Sequence, residues 1–215
     1  MIQLQDCRTP EEIQARSFEM IDALFPMPRP FKGEAWEVAR RLIHTTGDPG
    51  LIKDMVLPDS AVRAGIEALL SKAPVYTDTN MVKAGIPLYR LNPLGCSVTC
   101  ILDLPGVDEA AKELGTTRTK AAMLKLAERL DGAIVAIGNA PTALLALLEE
   151  TSRLGARPAL VVGMPVGFVN AAESKELLLD RADLASLVIS GRRGGSPLAS
   201  ATINALACIA HEKLG

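Results

Sequence analysis

Two kinds of residue in the 215-residue sequence could take part in chemistry: a few titratable side chains and the glycines that follow apolar runs. There are two histidines, His44 in the segment RRLIHTTGDPG and His211 near the end of the chain. An imidazole can give or take a proton near neutral pH. His44 lies where a predicted helix meets a loop, so it could reach a ligand, and a surface or helix-capping role is the alternative. We interpret His211 as an exposed residue of the last helix.

Glycine-rich loops follow three apolar segments: GNAPT, GMPVGFVNAAES and GRRGGSP. Glycine allows a ligand to approach the backbone and leaves amide donors accessible. We therefore predict a glycine floor for a bulky ligand, formed by Gly163, Gly167, Gly191 and Gly194. We expect Gly163→Val to prevent ligand binding while leaving the fold largely intact. Tight strand–helix turns are the alternative interpretation of each loop.

Several arginines flank the predicted helix end and these loops: Arg16, Arg40, Arg41, Arg118, Arg192 and Arg193. A guanidinium can hold a carboxylate by paired hydrogen bonds, which makes Arg40 a candidate binding residue. Solvated surface arginines are the alternative. The loops match neither GxGxxG nor GxxxxGK[ST], and HExxH is absent. Dinucleotide, triphosphate and metal chemistry are therefore disfavoured.

These residues must be positioned by an α/β framework. From residue 132 the strand patterns GAIVAIG, PALVVG and SLVIS alternate with helical patterns. Short, continuously apolar strands are typical of a parallel sheet that is covered on both faces. The alternation predicts a doubly wound, mostly parallel sheet with helices on both faces. In such sheets, ligands bind beyond the carboxyl ends of the strands, which is where the glycine loops lie.

The first part of the chain is predicted to contain two helices, at 9–24 and about 34–46. Thr9 and Glu12 form a capping-box pattern at the start of the first. We expect residues 9–46 to form a helical arm that stands apart from the αβ core and packs on its edge or on a partner subunit. Further predictions are strands near 51–56, 74–79, 87–91 and 96–103, and helices near 59–72, 80–86 and 108–130, the last broken near Gly115. Residues 1–215 are interpreted as one domain.

Composition excludes several classes of protein. The net charge is −2 and the pI about 5.8, which disfavours a nucleic-acid binder. There is no apolar run of about 18 residues, so no membrane span is expected. The N-terminus lacks a secretory signal pattern, which favours the cytoplasm. There are four cysteines, Cys7, Cys96, Cys100 and Cys208; Cys96 and Cys100 are predicted to be buried thiols rather than metal ligands, and nothing argues for structural disulfides.

Six blocks resemble, in order, those of the precorrin-8X methylmutase family of cobalamin biosynthesis: EEIQARSFEMI, ARRLIHTTGD, DTNMVKAGI, GNAPTALLALLEE, GMPVGFVNAAESKELL and GRRGGSPLASATINAL. The resemblance covers nearly the whole chain and is least distinctive over 86–115. It implies an isomerase that moves a methyl group from C11 to C12 of precorrin-8X or cobalt-precorrin-8, giving hydrogenobyrinate or cobyrinate, without a cofactor. It implies that His44 supplies the proton, and that Ser17 and Arg118 contact the substrate.

The resemblance further implies a tetrapyrrole ligand, a homodimer and handover to neighbouring pathway enzymes. A macrocycle fringed with carboxylates would need the glycine floor and the arginines. One alternative is a non-catalytic tetrapyrrole-binding or carrier protein, which would need the same surfaces but not His44. Another is a nucleotide-dependent enzyme on a similar sheet, which would bind ATP or NAD tightly.

Overall fold

A computed structural model describes residues 9–214 and has a six-stranded sheet at its centre, in the order β1-β6-β5-β4-β2-β3. Strands β2 to β6 are parallel, and β1 pairs with β6 in the antiparallel direction at one edge. The strands are β1 Met55–Val56, β2 Val75–Thr77, β3 Val98–Cys100, β4 Ile134–Ile137, β5 Leu160–Gly163 and β6 Ser186–Ile189. The predicted mostly parallel sheet is confirmed.

Helices cover both faces of this sheet. They are α1 Pro10–Leu24, α2 Gly33–Thr46, α3 Asp59–Leu70, α4 Asn80–Ala84, α5 Leu88–Leu91, α6 Val107–Glu113, α7 Arg118–Leu126, α8 Pro141–Leu154, α9 Ala171–Leu179 and α10 Ser196–Glu212. On one face of the sheet, Ile134 and Ala136 of β4 pack in a core formed with α2, α3 and α10. On the other face, Val135 and Ile137 pack in a second core formed with α7, α8 and α9. Because both faces are buried, the strand is apolar throughout, and the doubly wound architecture is confirmed.

The two N-terminal helices differ in how they pack. The predicted capping box opens α1, and Ile21 is the only residue of α1 that is buried. Helix α2 buries much more, including Trp36, Val38 and Leu42, and packs against α10. The expectation that all of 9–46 stands apart from the core is therefore wrong for α2. Helix α1 lies on the outside of α2.

Four strands predicted before residue 104 are shorter than expected or absent, and of 74–79 only Val75–Thr77 is strand. In place of the strand predicted at 87–91, Leu88–Leu91 form α5, because a short apolar run does not show by periodicity whether it is strand or helix. Of 51–56, only Met55–Val56 is strand, since Asp48 and Pro49 start a 3₁₀ turn at Pro49–Asp54. Of 96–103, three residues are strand. The helix predicted at 108–130 is broken near Gly115, as expected. Within 9–214, no helix is long and apolar enough to cross a membrane.

Candidate functional site

Two grooves meet at His44. The first, here called the apolar groove, has a volume of about 440 Å³ and lies between α1 and α2. Besides His44, its lining includes Ile13, Ser17, Met20, Ile21 and Leu24. The second, here called the basic groove, has a volume of about 470 Å³ and lies between α2, the α4–α5 segment and α10. Besides His44, its lining includes Arg41, Arg90, Ser196, Ser200 and Asn204.

The His44 ring is oriented from α1. Its Nδ1 lies 2.7 Å from Oγ of Ser17, and the ring packs edge-on against Phe18 with centroids 5.5 Å apart. Helix α2 ends two residues later, at Thr46, and is followed by Gly47, whose left-handed φ of 65° suits glycine. Nε2 of His44 has no hydrogen-bond partner within residues 9–214. One ring nitrogen is thus held by the protein while the other can meet a ligand.

The electrostatic surroundings favour the neutral imidazole. Burial is the larger cause that lowers the pKa of His44, and the positive charge of Arg41 lowers it further. A protonated His44 is therefore a stronger acid than an ordinary imidazolium. An anionic ligand that offsets the Arg41 charge would favour protonation.

Arg40 does not line either groove. Its Nη1 donates to Oδ2 of Asp22 at 2.9 Å, its Nη2 pairs with Glu37, and its guanidinium lies 4.3 Å from the Phe18 ring centroid. Arg40 thus ties α2 to α1 in this structure, and its assignment as a binding residue stays a prediction that these contacts do not favour. Adjacent residues on a helix point about 100° apart, and it is Arg41 that reaches the groove.

The glycines of the predicted floor have different environments. A Cβ on Gly163 would lie 2.5 Å from Cδ2 of Leu178, so its missing side chain allows α9 to pack on β5. The expectation that Gly163→Val would leave the fold largely intact stays a prediction, and this close approach argues against it, because Leu178 would have to move. Gly167 and Gly191 have φ values of 138° and 68° with open space around them, and Gly194 packs against the carbonyl of Met164.

A cavity of about 400 Å³, here called the loop cavity, lies between the second and third glycine loops. Its lining includes Thr46, Gly167, Phe168, Arg192 and Gly194. The amide of Gly195 donates to the carbonyl of Met164 at 2.8 Å, which joins the two loops. The sheet edge at which the glycine loops lie therefore has a concave surface close to the end of α2. Gly167 and Gly194 contribute to this surface.

A buried carboxylate fixes the first glycine loop. Asp78, at the end of β2, accepts hydrogen bonds from the amides of Gly138, Asn139 and Ala140 at 3.1, 2.7 and 2.7 Å. Burial raises its pKa, and the three amide bonds oppose that shift. In the sequence, Asp78 is one polar residue at a strand end, and no signal separates it from a loop aspartate.

A fully buried lysine supports the third loop. Nζ of Lys175 donates to the carbonyl of Arg193 at 2.7 Å, and the Arg193 side chain pairs with Asp48 and with Asp54. Burial lowers the pKa of Lys175 to about 8, and the charge of Asp54 opposes this. The sequence held a signal for this burial, because Lys175 lies on the same face of α9 as Ala171 and Leu178, both of which are buried.

Two other residues considered in the sequence, the predicted site residue Arg118 and the second histidine, His211, lie elsewhere. Arg118 is exposed, its Nε lies 2.5 Å from Oδ1 of Asp108, and it lines a separate cavity of about 450 Å³ between α6 and α7. That cavity shares no lining residue with either groove. His211 is half-buried and its Nε2–H donates to the carbonyl of Arg90 at 2.7 Å, so its interpretation as an exposed residue is wrong.

The cysteines that the structure describes are free thiols. Cys96 and Cys100 are buried and Cys208 is half-buried, while Cys7 lies outside the described residues. No group of three or more potential metal ligands occurs within 9–214. Cys100 is the last residue of β3, whereas Cys96 lies before the strand.

Known proteins resemble the chain along nearly its full length. The family model CbiC, precorrin-8X methylmutase, matches residues 12–209. A cobalt-precorrin-8 methylmutase from Priestia megaterium is 40% identical, over 94% of this chain and 89% of the relative. A precorrin-8X methylmutase from Sinorhizobium is also 40% identical, over 91% and 92%. The solved precorrin-8X methylmutase from Thermus thermophilus is 41% identical, with a TM-score of 0.86 over 94% of this chain and 97% of that one.

Fold, site and similarity together define an isomerase of corrinoid biosynthesis. The chain belongs to the precorrin-8X methylmutase family. The predicted family, fold class and enzyme class are thereby confirmed.

Proposed function

We propose that this chain moves a methyl group from C11 to C12 of precorrin-8X or cobalt-precorrin-8, with His44 as the proton donor. The observation that carries the proposal is the position of His44 between an apolar and a basic groove, with Nδ1 held by Ser17 and Nε2 available. A corrinoid precursor has the matching character, since its ring is largely apolar and its rim carries carboxylates.

The proposed chemistry requires one titratable group. A proton from His44 makes the conjugated ring electron-poor next to the migrating methyl group. The C11–methyl bond then breaks as the C12–methyl bond forms, and the proton returns to the imidazole. The lowered pKa of His44 suits this role, because a stronger acid transfers its proton more readily to a weakly basic ring.

The experiment is turnover of precorrin-8X by His44→Ala beside the wild type and Arg129→Met, an exposed arginine outside the grooves. We expect His44→Ala to lower kcat by roughly 10²–10⁴-fold and to retain product binding, while Arg129→Met turns over normally. Full activity of His44→Ala would contradict the proposed proton donor. A single stoichiometric spectral change in the wild type, without turnover, would favour the carrier alternative.

Arg118, Gly167, Gly191 and Gly194 remain proposed substrate contacts. Arg118 is proposed to bind a rim carboxylate after its exposed pair with Asp108 opens, which costs little for an exposed pair. Arg118→Lys should then weaken binding, since the planar fork is lost. Unchanged affinity for the product would contradict this role.

We also propose that residues 1–215 form one domain and that two chains associate. Light scattering should then report twice the 22.8 kDa chain mass. A fully active monomer would contradict the homodimer.

A further inference from the structure

The side chain of Arg193, in the third glycine loop, makes two ion pairs with acids from a distant part of the chain. Its Nη1 lies 3.1 Å from Oδ2 of Asp54, and its Nη2 pairs with Asp48. Asp54 directly precedes β1, whereas Asp48 lies just after the end of α2. Arg193 therefore joins the third glycine loop to two separate elements, the edge strand and the helix that carries His44.

Arg193 also lines the loop cavity, but its charge is already matched within the protein. The carboxylates of Asp48 and Asp54 both face its guanidinium and offset its charge. Arg193 therefore offers no excess positive charge of its own to an anionic ligand. Its two ion pairs indicate a role in holding parts of the protein together.

Packing does not hold the last turn of α2, to which His44 belongs. Ile43 is the last buried residue of this helix, and residues 45–47 are exposed. Helix ends with few buried contacts fray and open at a small free-energy cost. The place of His44 therefore depends on the contacts that fix this end of α2, in addition to those that the ring makes with α1.

Asp48 connects the ion pair to that turn. Its amide donates to Oγ1 of Thr46 at 3.3 Å, and this hydroxyl donates to the carbonyl of Leu42 at 3.1 Å. Oδ1 of Asp48 accepts the amide of Gly50 at 2.8 Å, which leaves Oδ2 for Arg193. One carboxylate thus closes the end of α2 with one oxygen and holds the third glycine loop with the other.

The third glycine loop is itself fixed from the side of the sheet. The fully buried Nζ of Lys175 donates to the carbonyl of Arg193 at 2.7 Å. The amide of Ser190, at the start of the loop, donates to the carbonyl of Asp54 at 2.7 Å. An exposed ion pair stabilises little when both of its side chains are mobile. Here both partners belong to backbone that other contacts hold, so the pair can link the loop to α2.

We propose that Arg193 is a positioning residue, which holds the last turn of α2, and with it His44, at a fixed place relative to the glycine loops. The role of this link in the reaction rests on the proposed function, whereas the link itself rests on the contacts alone. Arg193 touches no reacting atom. Its loss lowers the fraction of bound substrate that meets His44 in the reactive geometry, so kcat falls more than KM changes.

The first test is turnover of precorrin-8X by the wild type, Arg193→Met and Arg193→Lys. Arg193→Met should lower kcat by roughly 10-fold, between the few-fold effect of an exposed ion pair and the roughly 100-fold cost of misplacing a reacting group. Arg193→Lys keeps a charged donor and should recover part of kcat. Arg157→Met is the matched control, since it removes another exposed arginine that pairs with an acid, Asp183, and it should turn over normally.

Two results of these kinetics would overturn the proposal. Wild-type kcat in Arg193→Met would show that the last turn of α2 does not need the ion pair. A raised KM at unchanged kcat would make Arg193 a ligand contact instead of a positioning residue.

The two acids separate the link to α2 from the link to the edge strand. Asp48→Asn keeps an oxygen for the amide of Gly50 but loses the charge that pairs with Arg193, so it should lower kcat. Adding Arg193→Met should lower kcat little further, because both changes remove the same pair. Asp54→Asn leaves the pair with Asp48 and should keep kcat within about twofold of the wild type. Additive losses, or an equal loss in Asp54→Asn, would contradict a link through Asp48.

Hydrogen exchange followed by mass spectrometry tests the link without turnover. In Arg193→Met, amide exchange should become faster in 190–195 and also in 45–51, while exchange in β4, at 134–137, stays unchanged as an internal reference. In Asp54→Asn, only 190–195 should respond. Faster exchange confined to 190–195 in Arg193→Met would overturn the proposal.

The two measurements distinguish this inference from the proposed function. If both segments respond to Arg193→Met and the wild type does not turn over precorrin-8X, the link stands and the proposed function fails. If turnover is normal and neither kcat nor exchange in 45–51 responds to Arg193→Met, the proposed function stands and the link fails.

Discussion

Oγ of Ser17 lies 2.7 Å from Nδ1 of His44 and joins two residues that are 27 positions apart. The contact exists because α1 lies along α2, where Arg40 pairs with Asp22 across the two helices at 2.9 Å. The orientation of the imidazole thus depends on a helix that contributes little to the core. In the proposed mechanism, Ser17 positions the proton donor.

Ser17→Ala is expected to lower kcat by roughly 10-fold, the effect of one hydrogen bond, with little change in KM. The imidazole stays in place but rotates more freely without its partner. Steady-state kinetics measure this, and Ser17→Thr should restore part of kcat because it keeps the hydroxyl. A raised KM at constant kcat would instead make Ser17 a ligand contact, as the family resemblance implies.

The pH dependence of kcat/KM should report His44. If its protonated form is the acid, the rate falls as pH rises through its pKa, and this pKa lies below the ordinary value of about 6.5 because of burial and Arg41. Arg41→Met removes a positive charge close to His44, so kcat/KM should fall at a higher pH in this variant than in the wild type. Ser17 and Phe18 face the same ring, carry no charge, and stay unchanged in this comparison. If kcat/KM of His44→Gln falls with pH in the same way, a group other than His44 is responsible for the titration.

Lys175 should make stability depend on alkaline pH. Its pKa is about 8 in the folded protein and about 10.5 in the unfolded chain. Between these values the unfolded chain holds the proton and the folded protein has lost it. The free energy of unfolding therefore rises from pH 8 to about 10.5 for this group.

The measurement is urea unfolding of the wild type and Lys175→Met at several pH values. The difference in the free energy of unfolding between the wild type and Lys175→Met should change between pH 8 and about 10.5 and stay constant below pH 8. A constant difference at every pH would mean that the Lys175 ammonium is not destabilised by its burial.

Gly163→Ala should lower the free energy of unfolding by about 1–3 kcal/mol, the typical effect of overpacking. The added Cβ would meet Cδ2 of Leu178, so part of this loss should disappear in the Gly163→Ala, Leu178→Ala double variant. Urea unfolding of the single and double variants measures the coupling. Additive losses would contradict the close approach of the two residues.

The parallel sheet could be predicted because its strands are buried on both faces and are therefore apolar throughout. The capping pattern of Thr9 and Glu12 likewise placed the start of α1. The side-chain directions within the site could not be predicted. Arg40 and Arg41 are identical neighbours, and only the packing of α1 decides which one pairs with Asp22 and which one enters the groove.

The glycines illustrate the same limit. Gly163 and Gly167 belong to one motif, yet Gly163 makes room for Leu178 and Gly167 borders the loop cavity. A sequence shows that a side chain is missing but not which neighbour occupies the space. For Lys175 the helical spacing was informative, since it places the lysine on the buried face of α9.

The sparse burial of α1 has a consequence for how the protein inactivates. Ile21 is its one buried residue, whereas Ile13, Met20 and Leu24 are more than half exposed, at 53%, 52% and 59%. Helices with few buried contacts open locally at a smaller free energy than the core. Detachment of α1 would remove both the Ser17 contact and one wall of the apolar groove while the sheet stays intact. Mild heating or low urea should therefore abolish turnover before the far-ultraviolet circular dichroism changes, because the acid loses its orientation while the scaffold persists.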